Sequence, residues 1–238
     1  MPRHRRGSLR LLAWNIRQGG GKRLAAIASA IERHDADVVV ISEYRGGDAA
    51  ERLRAALIAL GYRYMTTLAP APGRYGVLIA ARMCFVEHGV LHDALPEPCR
   101  VVGVELAGIR LFGVYMPNML AKVPYWQALI DALAGAVDRD ALALGDFNTC
   151  RAYVDEPGAI DATAHFIDRL EAAGFSDLWR RRNPDGREFS WYSHSGNGFR
   201  IDHAFLSPTL AALAGPVRYS HEERLIGLSD HSPLILDL

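Results

Sequence analysis

Six short polar motifs stand at the end of apolar segments, or directly after them, along most of the chain. They are Trp14-Asn15-Ile16, Ile41-Ser42-Glu43, Tyr115-Met116-Pro117-Asn118, Gly145-Asp146-Phe147-Asn148, Arg200-Ile201-Asp202 and Ser229-Asp230-His231. Together they supply carboxylates, amides, a phenol and an imidazole. Carboxylate and amide oxygens are ligands that Mg²⁺ prefers, and charged or N–H donors suit a phosphate group. The set therefore indicates metal-assisted phosphoryl chemistry, not a redox cofactor or a covalent nucleophile.

Asp146 and Asn148 directly follow a short apolar run, Ala141–Gly145. Alternation along an extended segment would point both side chains to the same face. A carboxylate and an amide placed in that way could hold one water molecule against a phosphorus atom. The same residue types are also favourable in a turn, and the pair taken alone favours the turn.

Glu43 ends the most apolar predicted strand in the first half of the chain, Asp37–Glu43. An unpaired carboxylate is costly to bury, so Glu43 must lie at the edge of a sheet. The sequence leaves two interpretations open there. Glu43 is either a metal ligand or a solvated strand end.

His231 follows Asp230 shortly before the last predicted strand, and Asp202 is its natural partner. A carboxylate fixes the tautomer of an imidazole and favours its charged form. Tyr115 and Asn118 follow another strand, where a hydroxyl and an amide could bond non-bridging phosphate oxygens. The alternative for His231 is a structural histidine whose hydrogen bonds are all made within the protein. The alternative for Tyr115 is an aromatic side chain at the rim of a sheet.

The elements that must position these motifs alternate between strands and helices, with antiparallel hairpins among them. The predicted helices are Lys22–Arg33, Ala49–Leu60, Pro124–Val137 and Ala162–Ala173. The predicted strands are Leu9–Asn15, Asp37–Glu43, Tyr62–Thr67, Gly76–Ala81, Val101–Leu106, Ile109–Tyr115, Ala141–Gly145, Phe189–Tyr192, Ile201–Leu206 and Pro233–Leu238. This mixture predicts two mixed sheets packed face to face with helices outside.

Composition predicts one domain over residues 9–238, preceded by a basic flexible tail at residues 1–8. The chain has 238 residues, half of them apolar, which is ordinary for one large sandwich. No apolar run is long enough to span a bilayer. Three cysteines form no disulfide framework, which favours the reducing cytoplasm. A net charge of zero argues against a strong general nucleic-acid binder.

The six motifs, taken in order, resemble the endonuclease/exonuclease/phosphatase superfamily of metal-dependent phosphohydrolases. The resemblance runs from Trp14 to the C-terminus, and its most specific parts are the motifs around Asp146, Asp202 and His231. It implies a four-layer α/β sandwich, in which two packed mixed β-sheets are flanked by helices. That architecture agrees with the element pattern.

The resemblance also implies roles for the metal-binding residues. Glu43 would bind the metal directly, and Asn15 and Asp230 would assist there. The expected ion is Mg²⁺, with Mn²⁺ as the other ion that such a site accepts.

Further roles follow for the residues that act on the phosphate. Asp146 would orient or deprotonate the attacking water, and Asn148 would help to hold it. His231, paired with Asp202, would bind the scissile phosphate as a cation. The phosphate or the leaving group would be contacted by Tyr115 and Asn118.

Tyrosine at position 115 resembles the exonuclease III and abasic-site endonuclease branch, since several other branches carry a histidine there. Trp191, Phe199 and Ile201 fall where that branch builds an apolar pocket for a sugar without a base. Ordinary core packing explains these three residues equally well.

Three features depart from that branch. Arg17 stands where an acidic residue is common, so a second metal contact is missing, although Arg17 and the basic N-terminus could contact a DNA backbone. Ala121 stands where some members place a DNA-contacting arginine, and the adjacent Lys122 could substitute. The connections between the central motifs are short for an enzyme that clasps DNA.

The sequence therefore predicts a Mg²⁺-dependent phosphodiesterase acting on DNA as an abasic-site endonuclease or a 3′ exonuclease, most simply as a monomer on duplex DNA. A phosphatase or phosphodiesterase of small or lipid-linked phosphates is the nearest alternative, favoured by the zero net charge. A nucleic-acid-binding scaffold with a decayed site is a third. Retention of the carboxylate, amide and imidazole positions argues against decay.

Overall fold

The structure is a computed structural model that describes residues 8–158 and 161–238. Most of the predicted basic tail, residues 1–7, lies outside the described residues. The helices are α1 (Leu24–His34), α2 (Asp48–Ala59), α3 (Val123–Ala134), α4 (His165–Ala172), α5 (Leu178–Arg182), α6 (Pro208–Leu213) and α7 (Glu222–Leu225). The strands are β1 (Arg10–Asn15), β2 (Val38–Tyr44), β3 (Tyr64–Thr66), β4 (Gly76–Ala81), β5 (Val86–Val90), β6 (Val101–Leu106), β7 (Ile109–Tyr115), β8 (Ala141–Asp146), β9 (Ser176–Asp177), β10 (Trp191–Tyr192), β11 (Gly198–Phe199), β12 (Asp202–Leu206), β13 (Val217–Tyr219) and β14 (Leu234–Asp237).

The strands form two six-stranded mixed sheets in the described part of the chain. The first sheet has the order β13-β14-β1-β2-β4-β3 and the second has the order β5-β6-β7-β8-β12-β9. In each sheet one central pair is parallel, β1 with β2 and β7 with β8, and the neighbouring pairs are antiparallel. A short ribbon of β10 and β11 stands apart from both sheets.

Three apolar clusters explain why the layers stack in this way. One cluster lies between the sheets and joins inward side chains of both, such as Val40 and Leu144. The outer face of the first sheet packs on α1 and α2, and the outer face of the second packs on α3 and α4. The predicted four-layer α/β sandwich, with two packed mixed sheets between helices, is confirmed.

The central strands follow the prediction closely because their sequences are apolar on both faces. Val38–Tyr44 is buried at almost every position, which is typical of a strand covered by a sheet on one side and helices on the other. The prediction missed the strands β5, β9, β11 and β13 and the short helices α5, α6 and α7. These elements are short, and β5 is exposed at every residue, so their sequences show no clear hydrophobic periodicity.

Candidate active site

Five strand ends converge at one edge of the sandwich. The parallel pairing of β1 with β2 places Asn15 beside Ser42, next to Glu43. In the second sheet Tyr115 pairs with Asp146 at the ends of β7 and β8. The antiparallel strand β12 begins at this edge, so its first residue, Asp202, pairs with Asp146. The topology thus brings together strand ends that are up to 187 residues apart in the chain, from Asn15 to Asp202.

Asn15 connects the two sheets at this edge. It is buried, and its amide Nδ2 donates to Glu43 Oε1 at 3.1 Å and to Asp146 Oδ2 at 2.9 Å. The amide oxygen accepts a hydrogen bond from the backbone N–H of Arg17 at 2.9 Å, which fixes the orientation of the group. The nitrogen of Asn15 therefore faces the two carboxylates and holds them close to each other.

Glu43 has a strained backbone. Its φ is 57°, in the left-handed region that glycine favours, and the pairing of β2 with β4 shifts register between Ser42 and Tyr44. Such strain is found at sites where the surrounding structure forces it, and a bulge re-aims a side chain. One carboxylate oxygen of Glu43 accepts from Asn15 and the other accepts from the backbone N–H of Gln18 at 2.5 Å.

The turn after β8 fixes the relation of Asp146 to Asn148. Asp146 Oδ1 accepts from the Asn148 backbone N–H at 2.9 Å, and Asn148 Nδ2 donates to the Met116 carbonyl at 2.8 Å. A Cβ at Gly145 would stand 2.1 Å from the Val114 carbonyl oxygen, so only glycine fits there. The motif is both a turn and part of the site, and the two interpretations of the sequence are compatible.

His231 lies against two carboxylates. Its Nδ1 is 2.9 Å from Asp202 Oδ2, and its Nε2 is 4.0 Å from Asp146 Oδ2. The indole N–H of Trp14 donates to the His231 carbonyl at 3.0 Å. Ser229 Oγ bonds the His231 backbone N–H at 3.2 Å and donates to the Asn15 carbonyl at 2.6 Å. The imidazole is therefore held from its backbone as well as from its ring.

The charges of His231 and Asp146 affect each other. Burial lowers the pKa of His231, but the carboxylates of Asp202 and Asp146 outweigh that effect and raise the pKa to about 10. Burial raises the pKa of Asp146 to about 7, against the opposing effect of His231. At neutral pH the imidazole is therefore a cation, which is the form that binds a phosphate.

The donor set fits a hard divalent cation. In the described part of the chain, single ligand atoms of Asp146, Asp202 and His231 lie within 4.8 Å of one another. His231 is unsuited to metal binding in its charged form, and Asp202 is engaged by it. The carboxylates of Glu43, Asp146 and Asp230 remain as oxygen ligands of the type that Mg²⁺ takes.

A pocket of about 520 Å³ opens beside these residues. Glu43, Asp146, Asp230 and His231 line it on one side. Trp191, Phe199 and Ile201 line it too, and the rings of Trp191 and Phe199 lie 5.6 Å apart. The structure thus places the three apolar residues next to the carboxylates and the imidazole, not within the sandwich.

Tyr115 and Asn118 also line the pocket. Burial raises the pKa of the Tyr115 phenol, and Glu43 and Asp146 add to the rise, so the group is a neutral hydroxyl. The Arg100 guanidinium lies over the ring of Tyr115, 4.7 Å from its centroid. Arg100 was not anticipated from the sequence, because it directly precedes β6 whereas Tyr115 ends β7, and the two meet only when these strands pair.

The two basic residues considered for DNA contact have different surroundings. Arg17 is half exposed beside the site, with its Nε 4.0 Å from Asp230 Oδ2. Lys122 lines the far end of the pocket but is buried, where its amine bonds the Asn148 carbonyl and lies 3.5 Å from Asp161. Lys122 therefore supports the Asn148 turn in this structure and does not project towards solvent.

No curated protein matches the sequence. Several solved structures share the fold described above. Among solved structures, the chain is similar to an AP endonuclease from Archaeoglobus fulgidus at 20% identity, with a TM-score of 0.84. It is also similar to the 3′-5′ exonuclease NExo from Neisseria meningitidis at 26% identity, with a TM-score of 0.83.

A third similar structure is a variant of the 3′ phosphatase NExo from Neisseria bound to a product DNA hairpin, at 25% identity with a TM-score of 0.81. Each of the three alignments covers 96% of this chain and 98% of the other. A sequence model of the Endonuclease/Exonuclease/phosphatase family matches residues 12–231. With that match over most of its length and the strand-end site described above, this chain belongs to the Endonuclease/Exonuclease/phosphatase family.

Proposed function

We propose that the protein is a divalent-metal-dependent phosphodiesterase that hydrolyses DNA, as an abasic-site endonuclease or a 3′ exonuclease acting as a monomer. The observation that carries the proposal is the apolar pocket that opens directly beside the Glu43, Asp146 and His231 side chains. Similarity to an AP endonuclease and to a 3′-5′ exonuclease supports DNA as the substrate class. The NExo structure with a product DNA hairpin supports it further.

Glu43 would hold the metal ion, Mg²⁺ or in its place Mn²⁺, with Asp230 assisting and Asn15 orienting the Glu43 carboxylate through its amide. The bound ion would supply charge stabilisation for the phosphate. Among the described residues no helix is long and apolar enough to cross a membrane.

Asp146 would accept a proton from the attacking water. Its carboxylate is buried and bonded to Asn15 and to the Asn148 backbone, so its position is fixed before substrate arrives. Pre-positioned groups of this kind reduce the reorganisation needed in the transition state. His231, held as a cation by Asp202, would bind a phosphate oxygen. Asn148 and Tyr115, which line the same pocket, would donate to the phosphate as well.

The pocket wall of Trp191, Phe199 and Ile201 would select the substrate. An apolar wall next to the phosphate-binding groups suits a deoxyribose without a base. Extruding such a sugar costs least where base pairing is already lost, so abasic sites would be favoured by energy as well as shape. Arg17 and the basic N-terminus would add salt-sensitive contacts to the DNA backbone.

A phosphatase acting on small phosphate esters is the second candidate. It is favoured by the zero net charge of the chain, since strong DNA binders are usually basic. A DNA-directed 3′ phosphatase would share features of both candidates.

The test is a side-by-side assay of purified protein with Mg²⁺ on abasic duplex DNA, intact duplex DNA, a 3′-phosphate end and a small phosphodiester. We expect incision of abasic DNA or removal of 3′ nucleotides, with loss of all activity in chelator. Rapid turnover of the small ester without any DNA cleavage would contradict the DNA proposal and support the second candidate. Activity that survives chelator would contradict both.

A further inference from the structure

One polar contact joins the apolar wall of the pocket to the carboxylate side of the site. The indole Nε1 of Trp191 lies 3.3 Å from Asp230 Oδ2. Trp191 is half-buried, and an indole N–H is a donor that needs an acceptor when it leaves water. Asp230 supplies that acceptor.

The backbone around this contact is also tied down. Trp191 forms an isolated antiparallel bridge with His231, the residue after Asp230. One step further along, the Ser232 N–H donates to the Ser190 carbonyl at 2.8 Å. The backbone of Trp191 is therefore bonded to the same segment that carries Asp230, the acceptor of its indole N–H. The indole ring also packs on Phe199.

The other partners of Asp230 are weaker. Arg17 Nε is 4.0 Å from the same oxygen, and the Arg17 side chain is 52% exposed. Exposed ion pairs of this length contribute little order. Ser229 Oγ is 3.5 Å from the second oxygen of Asp230, at the limit of hydrogen bonding. The indole is therefore the contact that best defines the direction of the carboxylate.

We propose that Trp191 is a positioning residue whose indole N–H orients the Asp230 carboxylate, so that the apolar pocket wall sets the affinity of the site for its divalent cation. The proposal rests on the metal-dependent function proposed above. Partners that hydrogen-bond a ligating group from outside fix its orientation and strengthen binding. By reciprocity, a sugar that presses on Trp191 would change metal affinity, and the metal would change affinity for the sugar by the same factor.

The decisive variant is Trp191→Phe, which keeps an aromatic wall and removes the donor. We expect the dissociation constant for Mg²⁺, measured by isothermal titration calorimetry without substrate, to rise about tenfold, the lower end of the range for outer partners. Tyr192→Phe is the matched control. It removes a hydroxyl from the neighbouring aromatic residue of β10, which is outside the pocket lining, and its Mg²⁺ affinity should match that of wild type.

Two further measurements separate the hydrogen bond from packing. Replacing Trp191 with benzothienylalanine, in which sulfur replaces the N–H, should reproduce the weaker Mg²⁺ binding even if W191F loosens the fold. In an Asp230→Ala background, Trp191→Phe should cause little additional loss, because the first change already removes the acceptor of the indole N–H.

Unchanged Mg²⁺ affinity in W191F, or an equal loss in Y192F, would overturn the inference and leave the proposed function intact. The same holds for a benzothienylalanine variant that binds Mg²⁺ like wild type. A wild-type protein that binds neither Mg²⁺ nor Mn²⁺ would overturn the proposed function and this inference together.

Discussion

At the scale of single residues, the site depends on buried groups whose partners come from distant segments. Asn15 donates to carboxylates of both sheets, and His231 is charged because Asp202 and Asp146 surround it. Each of these side chains is fixed by hydrogen bonds at its backbone or its polar head. The proposed chemistry therefore requires little rearrangement before the substrate binds.

Asp146→Asn tests the proposed proton acceptor. The amide retains the size of the side chain but cannot take a proton from water, so kcat should fall by about 10² to 10⁴. The measurement is the initial rate on the best substrate at saturating Mg²⁺. Asp168→Asn is the control, since that carboxylate is 69% exposed on α4 and outside the pocket lining. A rate near that of wild type would exclude Asp146 from the chemistry.

The charge of His231 can be measured directly in metal-free protein. NMR titration of the imidazole should show a cation up to about pH 9 and a midpoint near 10. Phosphate binding by His231 should be present below that midpoint and lost above it. Asp202→Asn removes the negative charge nearest to His231. The pKa of His231 should then fall, because burial, which lowers it, is opposed by less negative charge. A His231 midpoint near 6.5 in wild type would contradict the assignment.

At the scale of elements, the short helix α7 is attached to α1 by a buried polar contact. Glu223 of α7 is buried against α1, with Oε1 2.7 Å from His34 Nε2 and Oε2 2.6 Å from Ser220 Oγ. Burial raises the pKa of Glu223, but these hydrogen bonds outweigh it and hold the pKa at about 2. A short helix without an apolar period is thus fixed by a polar contact.

This contact predicts a pH-dependent stability. The folded pKa of Glu223 lies below its unfolded value of 4.5, so the contribution is complete above pH 4.5 and declines as pH falls towards 2. Glu223→Gln should lower the free energy of unfolding by about 1–3 kcal/mol at pH 6, with a smaller difference at pH 3. Urea unfolding at both pH values measures it. Glu222→Gln, the more exposed neighbour, should change stability by less than about 0.5 kcal/mol.

At the scale of the whole molecule, the closeness of the two sheets positions the site. Gly113 of β7 lies close against the first sheet, since a Cβ there would stand 2.9 Å from the Cγ1 atoms of Val40 and Val77. The absence of a side chain at this point lets β1 and β8 converge. The cross-sheet bond from Asn15 to Asp146 depends on that spacing.

Gly113→Ala should force the sheets apart or displace the two valines. Overpacking of a core costs about 1–3 kcal/mol, so we expect a lower melting temperature and a reduced rate together, the latter because Asn15 and Asp146 separate. Gly135→Ala is the control, because its Cβ would meet only ordinary contacts at 3.6 Å near the end of α3. A fully stable G113A protein with wild-type activity would show that the sheet spacing is not critical.

The sequence by itself determined the family, the sandwich and the identity of most residues around the pocket. It could do so because the central strands are continuous apolar runs and each polar motif stands at a strand end, so local pattern and chemistry agree. Val38–Tyr44 and the Asp146 motif are the clearest examples. The short elements escaped prediction because six or fewer residues, as in β5 and α6, carry too little hydrophobic periodicity.

Only the tertiary structure decided how the site residues are partnered. It showed that the amide nitrogen of Asn15 faces Glu43 and Asp146, that Lys122 is buried under the Asn148 turn, and that the Trp191 indole donates to Asp230. These contacts join segments between 26 and 131 residues apart. No local pattern encodes them, because they depend on the twist and spacing of two sheets and on the strain at Glu43. Residue types were thus fixed locally, while orientation and charge were fixed by packing.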